Sequence, residues 1–291
     1  MSYIRGPLCI PPHSGIRETN NKKKFYTHIP DDIWENMKND FTQNNKIEII
    51  KWFRDDSVTE NDIIWDNEQI LKFKEYYSPK NIIRKARNKL TLPTEYQEPY
   101  KEFGTYASVL FVYTLDKYRD KIKNKRVAII GSITPWIEGI CLNYNPSLIR
   151  TIEYNLPKIE VNSPVEVQTY KDFCKSSSKY DIIIQYSSIE HSGLGRYGDI
   201  IDPNADIKVM EEIYNHLDDT GLLLWGAPVN GIDFLGWNVH RVYGPLRLPL
   251  IFKNFEEIEW VPKSKKEIMS NKKHSLICNQ PLIVLRKKHN N

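Results

Sequence analysis

Short apolar runs alternate with amphipathic stretches in the part of the chain that follows residue 100. Apolar residues recur at helical spacing in 105–118, 135–141 and 207–217. Ile182, Ile183 and Ile184 stand side by side, a pattern typical of a strand covered on both faces. The alternation predicts an α/β fold with a parallel, doubly wound sheet. Its strands are predicted at residues 126–132, 149–155, 165–170, 180–186 and 222–228, with two later candidates at 255–261 and 281–286.

The first hundred residues have a different pattern. Pro, Asn and charged residues are mixed there with single aromatic residues, and short helices are predicted around 31–39 and 67–76. We therefore expect residues 1–100 to form an irregular, partly helical extension and residues 101–291 to form one α/β domain. The tryptophans of this extension, such as Trp65, either anchor it on that domain or line a substrate cleft.

Composition narrows the class of protein. The chain has 41 basic and 37 acidic residues, and its basic runs are typical of solvated loops, so the sequence does not favour a nucleic-acid surface. No run approaches the roughly 20 apolar residues that a membrane helix needs, so we expect no membrane partner. The four cysteines are scattered, which argues against a disulfide framework or a zinc cluster and favours a reducing, cytoplasmic location.

Two predicted strand ends carry groups that could hold a nucleoside. The first strand ends at Gly131, and Glu153 ends the second strand 22 residues later. In an α/β sheet, amides of the first loop face the ligand's polar end, and such a carboxylate accepts hydrogen bonds from ribose hydroxyls. The loop has one glycine where a dinucleotide fingerprint has three, which favours S-adenosylmethionine, a donor without phosphates. The alternative is that Glu153 is simply exposed at a strand end.

A loop rich in glycine and ionisable residues follows the fourth strand. Glu190 and His191 lie near its start, at the edge of the sheet where ligands of α/β proteins bind. Histidine titrates near neutral pH, so His191 is the candidate base for an acceptor hydroxyl. The alternative is that both residues only hydrogen-bond the loop in place. Arg196, Asp199 and Asp202 either pair with one another or bind substrate hydroxyls.

A long insertion at residues 228–249 follows the fifth strand, and long loops inside compact domains are usually functional. We interpret it as a lid, with His240 and Arg241 as polar groups beside Trp237 and Tyr243. Such side chains would stack on and hydrogen-bond a sugar, and they would equally accommodate another small polar molecule. A divalent metal is an alternative ligand for the imidazole and carboxylate groups of this region, which are His191, Asp199, Asp202 and His240.

Residues 187–199, together with 202–203 and 238–245, resemble the family described as "Caenorhabditis protein of unknown function". That family is in turn similar to class I S-adenosylmethionine-dependent methyltransferases, and the likeness covers about residues 100–262. The resemblance implies a Rossmann-like sheet of seven mostly parallel strands. It also implies donor contacts at Gly131, Ser132, Glu153, Tyr154, Asp172, Tyr186, Ser187 and Ser188.

We therefore predict a methyltransferase that uses S-adenosylmethionine to methylate an oxygen of a small polar or saccharide acceptor, a form of glycan modification. The expected catalytic residues are His191, Glu190 and His240. The expected substrate contacts are Arg196, Tyr197, Asp199, Trp237, Arg241 and Tyr243. The rivals are a non-catalytic Rossmann-like binding or scaffold protein with a degenerate donor pocket, and a nicotinamide-dependent sugar enzyme.

Overall fold

A computed structural model describes residues 31–51, 63–82, 103–197, 199–273 and 278–288. Its strands are β1 (Glu48–Lys51), β2 (Ile64–Trp65), β3 (Arg126–Ile130), β4 (Leu148–Glu153), β5 (Lys158–Ile159), β6 (Glu166–Thr169), β7 (Tyr180–Tyr186), β8 (Leu217–Gly226), β9 (Phe234–Trp237), β10 (His240–Val242), β11 (Phe255–Val261) and β12 (Leu282–Lys287). Its α-helices are α1 (Asp31–Thr42), α2 (Asn67–Tyr76), α3 (Phe103–Lys117), α4 (Trp136–Cys141), α5 (Tyr170–Lys175), α6 (Ala205–His216), α7 (Leu248–Ile251) and α8 (Lys265–Met269).

Seven strands form the central sheet in the order β11, β12, β8, β7, β3, β4, β6. The five strands from β8 to β6 are parallel, and β12 pairs antiparallel with both β8 and β11. From β3 the chain first builds outward through β4 and β6, and then returns to build the other side through β7 and β8. The strand order therefore reverses between β3 and β7, the kind of position where open α/β sheets bind ligands. The predicted sheet of seven mostly parallel strands is confirmed.

Both faces of the sheet are covered. Ile182 and Ile184 of β7 belong to one buried apolar cluster, together with residues of α3 and α4. Ile183 belongs to the opposite cluster, together with residues of α5 and α6. Successive side chains of a strand point to opposite faces, so the continuous isoleucine run has a buried place for every residue. Burying each such side chain contributes about 1.5–3 kcal/mol.

The start of β8 differs from the prediction. In the sequence, Thr220 and Gly221 are typical of a helix end before the strand predicted at 222–228, whereas α6 ends at His216 and β8 begins at the next residue. Asp218 accepts hydrogen bonds from the main-chain N–H and the hydroxyl of Thr220, which forms a local turn. Gly221 lies against β7, where an added Cβ would be 2.8 Å from the carbonyl oxygen of Asp181. The glycine thus permits close strand approach and does not end a helix.

The N-terminal segments pack on the α/β part at two places. β1 pairs in parallel with β9 of the insertion, and β9 pairs antiparallel with β10. Phe41 of α1 packs edge-on against Trp237, with ring centroids 5.3 Å apart. α2 packs on α4, where an added Cβ on Gly139 would lie 2.6 Å from the Cβ of Phe73. The helices predicted around 31–39 and 67–76 are confirmed, the first extending to Thr42.

None of the helices that the structure describes has both the length and the apolar character that a membrane-spanning helix needs.

Candidate functional site

A cavity of about 470 Å³ opens at the carboxyl ends of β3, β4 and β7. This volume lies within the range of about 300–1,000 Å³ that small-molecule sites occupy. The cavity extends from the loop after β3 to the loop after β7. We call the first end the donor end and the second the acceptor end, after the ligands that the sequence leads us to expect there. Its lining residues are Ile63, Gly131, Ser132, Ile133, Thr134, Trp136, Ile137, Glu153, Tyr154, Asn155, Tyr186, Ser187, Ser188, His191, Ser192, Tyr197 and Asp199.

Gly131 brings the two loops into contact at the donor end. Its φ is +78°, a conformation that favours glycine. A Cβ at this position would lie 2.0 Å from the Oγ of Ser188. The glycine N–H donates a hydrogen bond to the carbonyl oxygen of Ile152 in β4, at 3.0 Å. The single glycine of the loop therefore stands where the main chain passes directly against the β7 loop.

Glu153 joins the tip of β4 to the β3 loop. Its Oε1 accepts a hydrogen bond from the main-chain N–H of Ser132. Its Oε2 accepts one from the N–H of Tyr154, at 3.2 Å. Burial raises the pKa of Glu153, and these two bonds oppose the rise. A carboxylate can accept about four hydrogen bonds, so Glu153 keeps acceptor capacity for a ligand while it also holds the β3 loop.

Glu138 is a buried carboxyl group beside the donor end that the sequence analysis did not identify. It lies on α4, where Thr151 donates a hydrogen bond to its Oε1 at 2.7 Å. The Oγ of Ser132 is 3.2 Å from its Oε2. Burial raises the pKa of Glu138 to about 7. The signal in the sequence is an acidic residue inside an otherwise apolar helix, at a position that faces the sheet.

His191 lies at the acceptor end, where two neighbours fix its ring. Its Nδ1 is 2.5 Å from the carbonyl oxygen of Val239, and this contact is a hydrogen bond when the ring proton is on Nδ1, because the carbonyl can only accept. Arg196 donates to the same carbonyl at 2.9 Å and lies 3.0 Å from Nδ1. The guanidinium of Arg196 also covers the ring of Tyr197, 4.9 Å from its centroid. When the ring proton is on Nδ1, the lone pair of the imidazole is on Nε2.

Glu190 lies beside His191 at the acceptor end and is not among the described residues that line the cavity. It is fully buried, and its Oε1 is 3.6 Å from the Nε2 of His191. Burial raises the pKa of Glu190 to about 7, and nearby groups, including the Ser187 hydroxyl and the charge of Arg196, partly oppose the rise. A carboxyl group that titrates near neutral pH beside an imidazole is typical of catalytic sites.

The insertion supports the loop after β7 and contributes none of the described residues that line the cavity. Arg241 and Tyr243 are buried around Asp206 of α6, whose Oδ2 accepts from the Tyr243 hydroxyl at 3.0 Å. Arg247 binds Asp206 at 2.5 Å, and Arg241 donates to the Ser192 carbonyl at 2.5 Å. Burial alone would raise the pKa of Asp206, but the two guanidinium groups hold it below its usual value. The predicted substrate contacts Arg241 and Tyr243 thus hold the loop and are not among the described residues that line the cavity.

The other predicted residues are divided between cavity and framework. Asp199 lines the cavity, while its Oδ2 accepts from the N–H of Gly193 at 2.6 Å. Asp202 pairs with Lys208 at 2.6 Å, so the expected pairing of Arg196, Asp199 and Asp202 with one another is replaced by separate partners. Tyr154, Tyr186, Ser187 and Ser188 also line the cavity.

Besides Glu190, Arg196, Arg241 and Tyr243, three further predicted site residues lie outside the described lining of the cavity, namely Asp172, Trp237 and His240. Asp172 contacts the capping residue Thr169 of α5, whose hydroxyl donates to it at 2.7 Å. Trp237 packs on Phe41, and the ring of His240 is centred 6.0 Å from that of His191. The metal alternative finds no support, since the described residues contain no group of three or more His, Cys, Asp or Glu side chains placed to bind an ion.

The strand order and the cavity position define the class of fold, which is that of the class I S-adenosylmethionine-dependent methyltransferases. The chain belongs to the family described as "Caenorhabditis protein of unknown function", whose model matches residues 124–288. No curated protein matches the chain significantly.

Among the solved structures with a similar fold are several methyltransferases. An S-adenosylmethionine-dependent methyltransferase from Clostridium acetobutylicum is 11% identical, with a TM-score of 0.41, over 72% of this chain and 99% of that one. Another from Mesorhizobium loti is 8% identical, with a TM-score of 0.40, over 60% and 97%. The N-methyltransferase NodS from Bradyrhizobium japonicum, in complex with S-adenosyl-L-homocysteine, is 11% identical, with a TM-score of 0.37, over 72% and 100%.

Proposed function

We propose that this protein is a methyltransferase that moves the methyl group of S-adenosylmethionine to an oxygen of a small polar or saccharide acceptor. The observation that carries the proposal is one cavity that contains both Glu153 and His191. A donor held at the first residue and an acceptor hydroxyl at the second would share this space. Methyl transfer needs chiefly such in-line positioning of the two reactants.

The charge of the cavity supports this donor over a dinucleotide. Its lining contains the carboxyl groups of Glu153 and Asp199, and none of the described lining residues is a lysine or an arginine. A sulfonium donor brings a positive charge that these carboxylates favour, whereas a pyrophosphate brings negative charge that they oppose. The nicotinamide-dependent alternative is therefore disfavoured on electrostatic as well as sequence grounds.

The donor end fits the cofactor in three respects. The main chain at Gly131 has no side chain to fill the space beside Ser188. Glu153 keeps free acceptor capacity for ribose hydroxyls, and Tyr154 offers a half-exposed ring beside it. When bound, S-adenosylmethionine supplies an electrophilic methyl group on sulfur. Asp172, which lies outside the lining, has no part in this assignment.

His191 is the proposed base. In the proposed tautomer the ring proton is on Nδ1 and faces the Val239 carbonyl, so that Nε2 takes the proton that the acceptor hydroxyl releases as the new C–O bond forms. The carboxyl group of Glu190, 3.6 Å from Nε2, favours the positive charge that then develops on the ring. His240 lies behind His191 and supports the ring from β10.

The acceptor class follows from the lining around this base. Tyr197 offers a ring on which a sugar can stack, and Asn155, Ser192 and Asp199 offer hydrogen-bonding groups. The same lining has no described cation for a carboxylate or phosphate acceptor. We therefore assign the acceptor to neutral hydroxylated molecules, with a saccharide as the preferred case.

Calorimetric titration with S-adenosylhomocysteine tests the donor site. We expect saturable binding that Glu153→Ala weakens at least tenfold, or about 1.4 kcal/mol, because the ribose hydroxyls lose their acceptor. Glu166→Ala is the matched control, since Glu166 lies at the neighbouring strand β6 and pairs with Arg150 outside the cavity. Absence of both binding heat and thermal shift would favour the scaffold alternative, and saturable binding of a nicotinamide dinucleotide instead would favour the sugar-enzyme alternative.

A further inference from the structure

Ser132 connects two carboxyl groups at the donor end. Its main-chain N–H donates to Glu153, and its hydroxyl lies 3.2 Å from the Oε2 of Glu138. The other oxygen of Glu138 accepts from Thr151 at 2.7 Å. We call the chain of contacts Thr151, Glu138, Ser132 and Glu153 the carboxyl bridge. It links α4, the β3 loop and β4 at the point where the proposed donor binds.

A count of protons shows which form of Glu138 the bridge needs. The Ser132 hydroxyl has one proton, and its oxygen is 2.9 Å from the carbonyl oxygen of Thr134, which can only accept. When Ser132 donates there, its contact with Glu138 is a hydrogen bond only if Glu138 is the donor. A neutral Glu138 therefore satisfies both contacts at once, and an ionised Glu138 would draw the Ser132 proton away from Thr134.

The surroundings of Glu138 favour the neutral form. The residue is fully buried, and burial is the main cause that raises its pKa to about 7. The carboxyl group of Glu153 faces it from β4 and adds to the rise. On its own helix, the buried thiol of Cys141 stays protonated, because burial raises its pKa far above the usual value. From α2, the Phe73 side chain packs on the adjoining Gly139.

We infer that Glu138 is a positioning residue for donor binding. It holds Ser132, and through Ser132 it holds Glu153. This network does the work that a glycine-rich loop does in a dinucleotide fingerprint. The inference rests on the proposed donor site. A glycine-rich loop lets the main chain approach the ligand, whereas here one glycine permits the approach and a buried hydrogen-bond network fixes the loop. Glu138 itself is outside the cavity lining and acts through Ser132.

Hydrogen exchange in the ligand-free protein tests the bridge without reference to any donor. Glu138→Gln keeps one donor and one acceptor and mimics the neutral carboxyl, so we expect protection of residues 130–136 within about twofold of the wild type. Glu138→Ala should speed this exchange about tenfold, since it leaves the Ser132 hydroxyl without a buried hydrogen-bonding partner. Ser132→Ala, which leaves Glu138 in place, provides the same test if Glu138→Ala does not fold. Glu256→Gln, on the distant strand β11, is the control.

The pH profile of S-adenosylhomocysteine affinity separates positioning from simple stabilisation. The neutral fraction of a group that titrates at about 7 falls from about nine tenths at pH 6 to about one tenth at pH 8. We expect wild-type affinity to fall up to about ninefold over this interval and that of Glu138→Gln to stay flat.

The outcomes distinguish the inference from the proposed function. If the wild type binds no S-adenosylhomocysteine, the proposed function fails, and hydrogen exchange at residues 130–136 still decides whether Glu138 holds the loop. The inference is overturned if residues 130–136 exchange in both Glu138→Ala and Ser132→Ala as they do in the wild type, or if they exchange as fast in Glu138→Gln as in Glu138→Ala. It is also overturned if the S-adenosylhomocysteine affinity of Glu138→Gln keeps the wild-type pH profile.

Discussion

The two ends of the cavity are built in different ways. The donor end consists of strand tips and main-chain groups, since Gly131, Ser132 and Glu153 all lie within one or two residues of β3 and β4. The acceptor end consists of the described loop residues 187–197 and 199–204, which Arg241 of the distant insertion holds through the Ser192 carbonyl and which Arg196 ties to the Val239 carbonyl of the insertion. Strand order brings the first end together and the carboxyl bridge links its parts, whereas the second end depends on buried ion pairs between residues more than 30 positions apart in the chain. The two ends should therefore respond to mutation in separate ways.

The largest expected effect is on the rate of methyl transfer. His191→Ala should lower turnover about 10²- to 10⁴-fold, because general-base catalysis contributes that much. Affinity for S-adenosylhomocysteine should stay within about twofold, because His191 is at the acceptor end. The measurement is transfer of an isotopically labelled methyl group to a panel of hydroxylated small molecules and saccharides. An unchanged rate on an accepted substrate would remove His191 from the base role.

The next effect concerns the framework of the acceptor end. Asp206→Ala leaves the buried guanidinium groups of Arg241 and Arg247 without their carboxylate, which should lower the free energy of unfolding by about 3–5 kcal/mol. Asp202→Ala is the matched control, because its partner Lys208 is 65% exposed, and it should cost less than about 1 kcal/mol. Urea unfolding checks both. Equal losses in the two variants would contradict the structural role assigned to Asp206.

The pH dependence of stability follows from Glu190. Its carboxyl titrates near 4.5 in the unfolded chain and at about 7 in the folded one. Between these values the unfolded state binds fewer protons, so the free energy of unfolding falls as pH rises. Glu190→Gln removes this contribution. The free energy of unfolding of the variant, relative to that of the wild type, should therefore rise by about 3 kcal/mol between these two pH values.

Urea unfolding at several pH values measures the difference between Glu190→Gln and the wild type. Glu138→Gln provides the corresponding curve for the donor end, because burial also raises the pKa of Glu138 to about 7. A difference between Glu190→Gln and the wild type that does not vary with pH would show that Glu190 titrates normally in the folded protein.

The smallest effect tests the role of Asp172, which the family resemblance places at the donor. Thr169→Ala removes the N-cap of α5, in which the Thr169 hydroxyl accepts from the N–H of Asp172 at 3.0 Å. We expect a loss of about 1 kcal/mol in stability and no change in S-adenosylhomocysteine affinity. A clear loss of affinity in a folded variant would return Asp172 and its surroundings to the donor site.

Much of the fold could be predicted from local patterns. The isoleucine run of β7, the bounds of α2 and the strand that ends at Glu153 follow from spacing and side-chain type. The short strands β1, β9 and β10 were missed, because each has three or four residues and gains its stability from a partner far along the chain. Period alone carries no information on such pairings.

The parts of the site that lie at strand ends could also be predicted from local patterns. The positions of Gly131, Glu153 and His191 follow from where strands end. The roles of Arg241 and Tyr243 do not, because a polar side chain in an insertion can face a ligand or a buried partner, and the choice depends on Asp206 of another element. Glu138 was missed because one acidic residue in a short apolar helix was not weighed as a buried hydrogen-bonding group.

The parallel pairing of β1 with β9 has a practical consequence for anyone who shortens this protein. β9 would lose a row of main-chain partners, and the cover that Phe41 gives Trp237 would go with it. An open strand edge next to newly uncovered apolar rings invites association between molecules. A fragment limited to the family-matched residues 124–288 should therefore aggregate more readily than the longer chain.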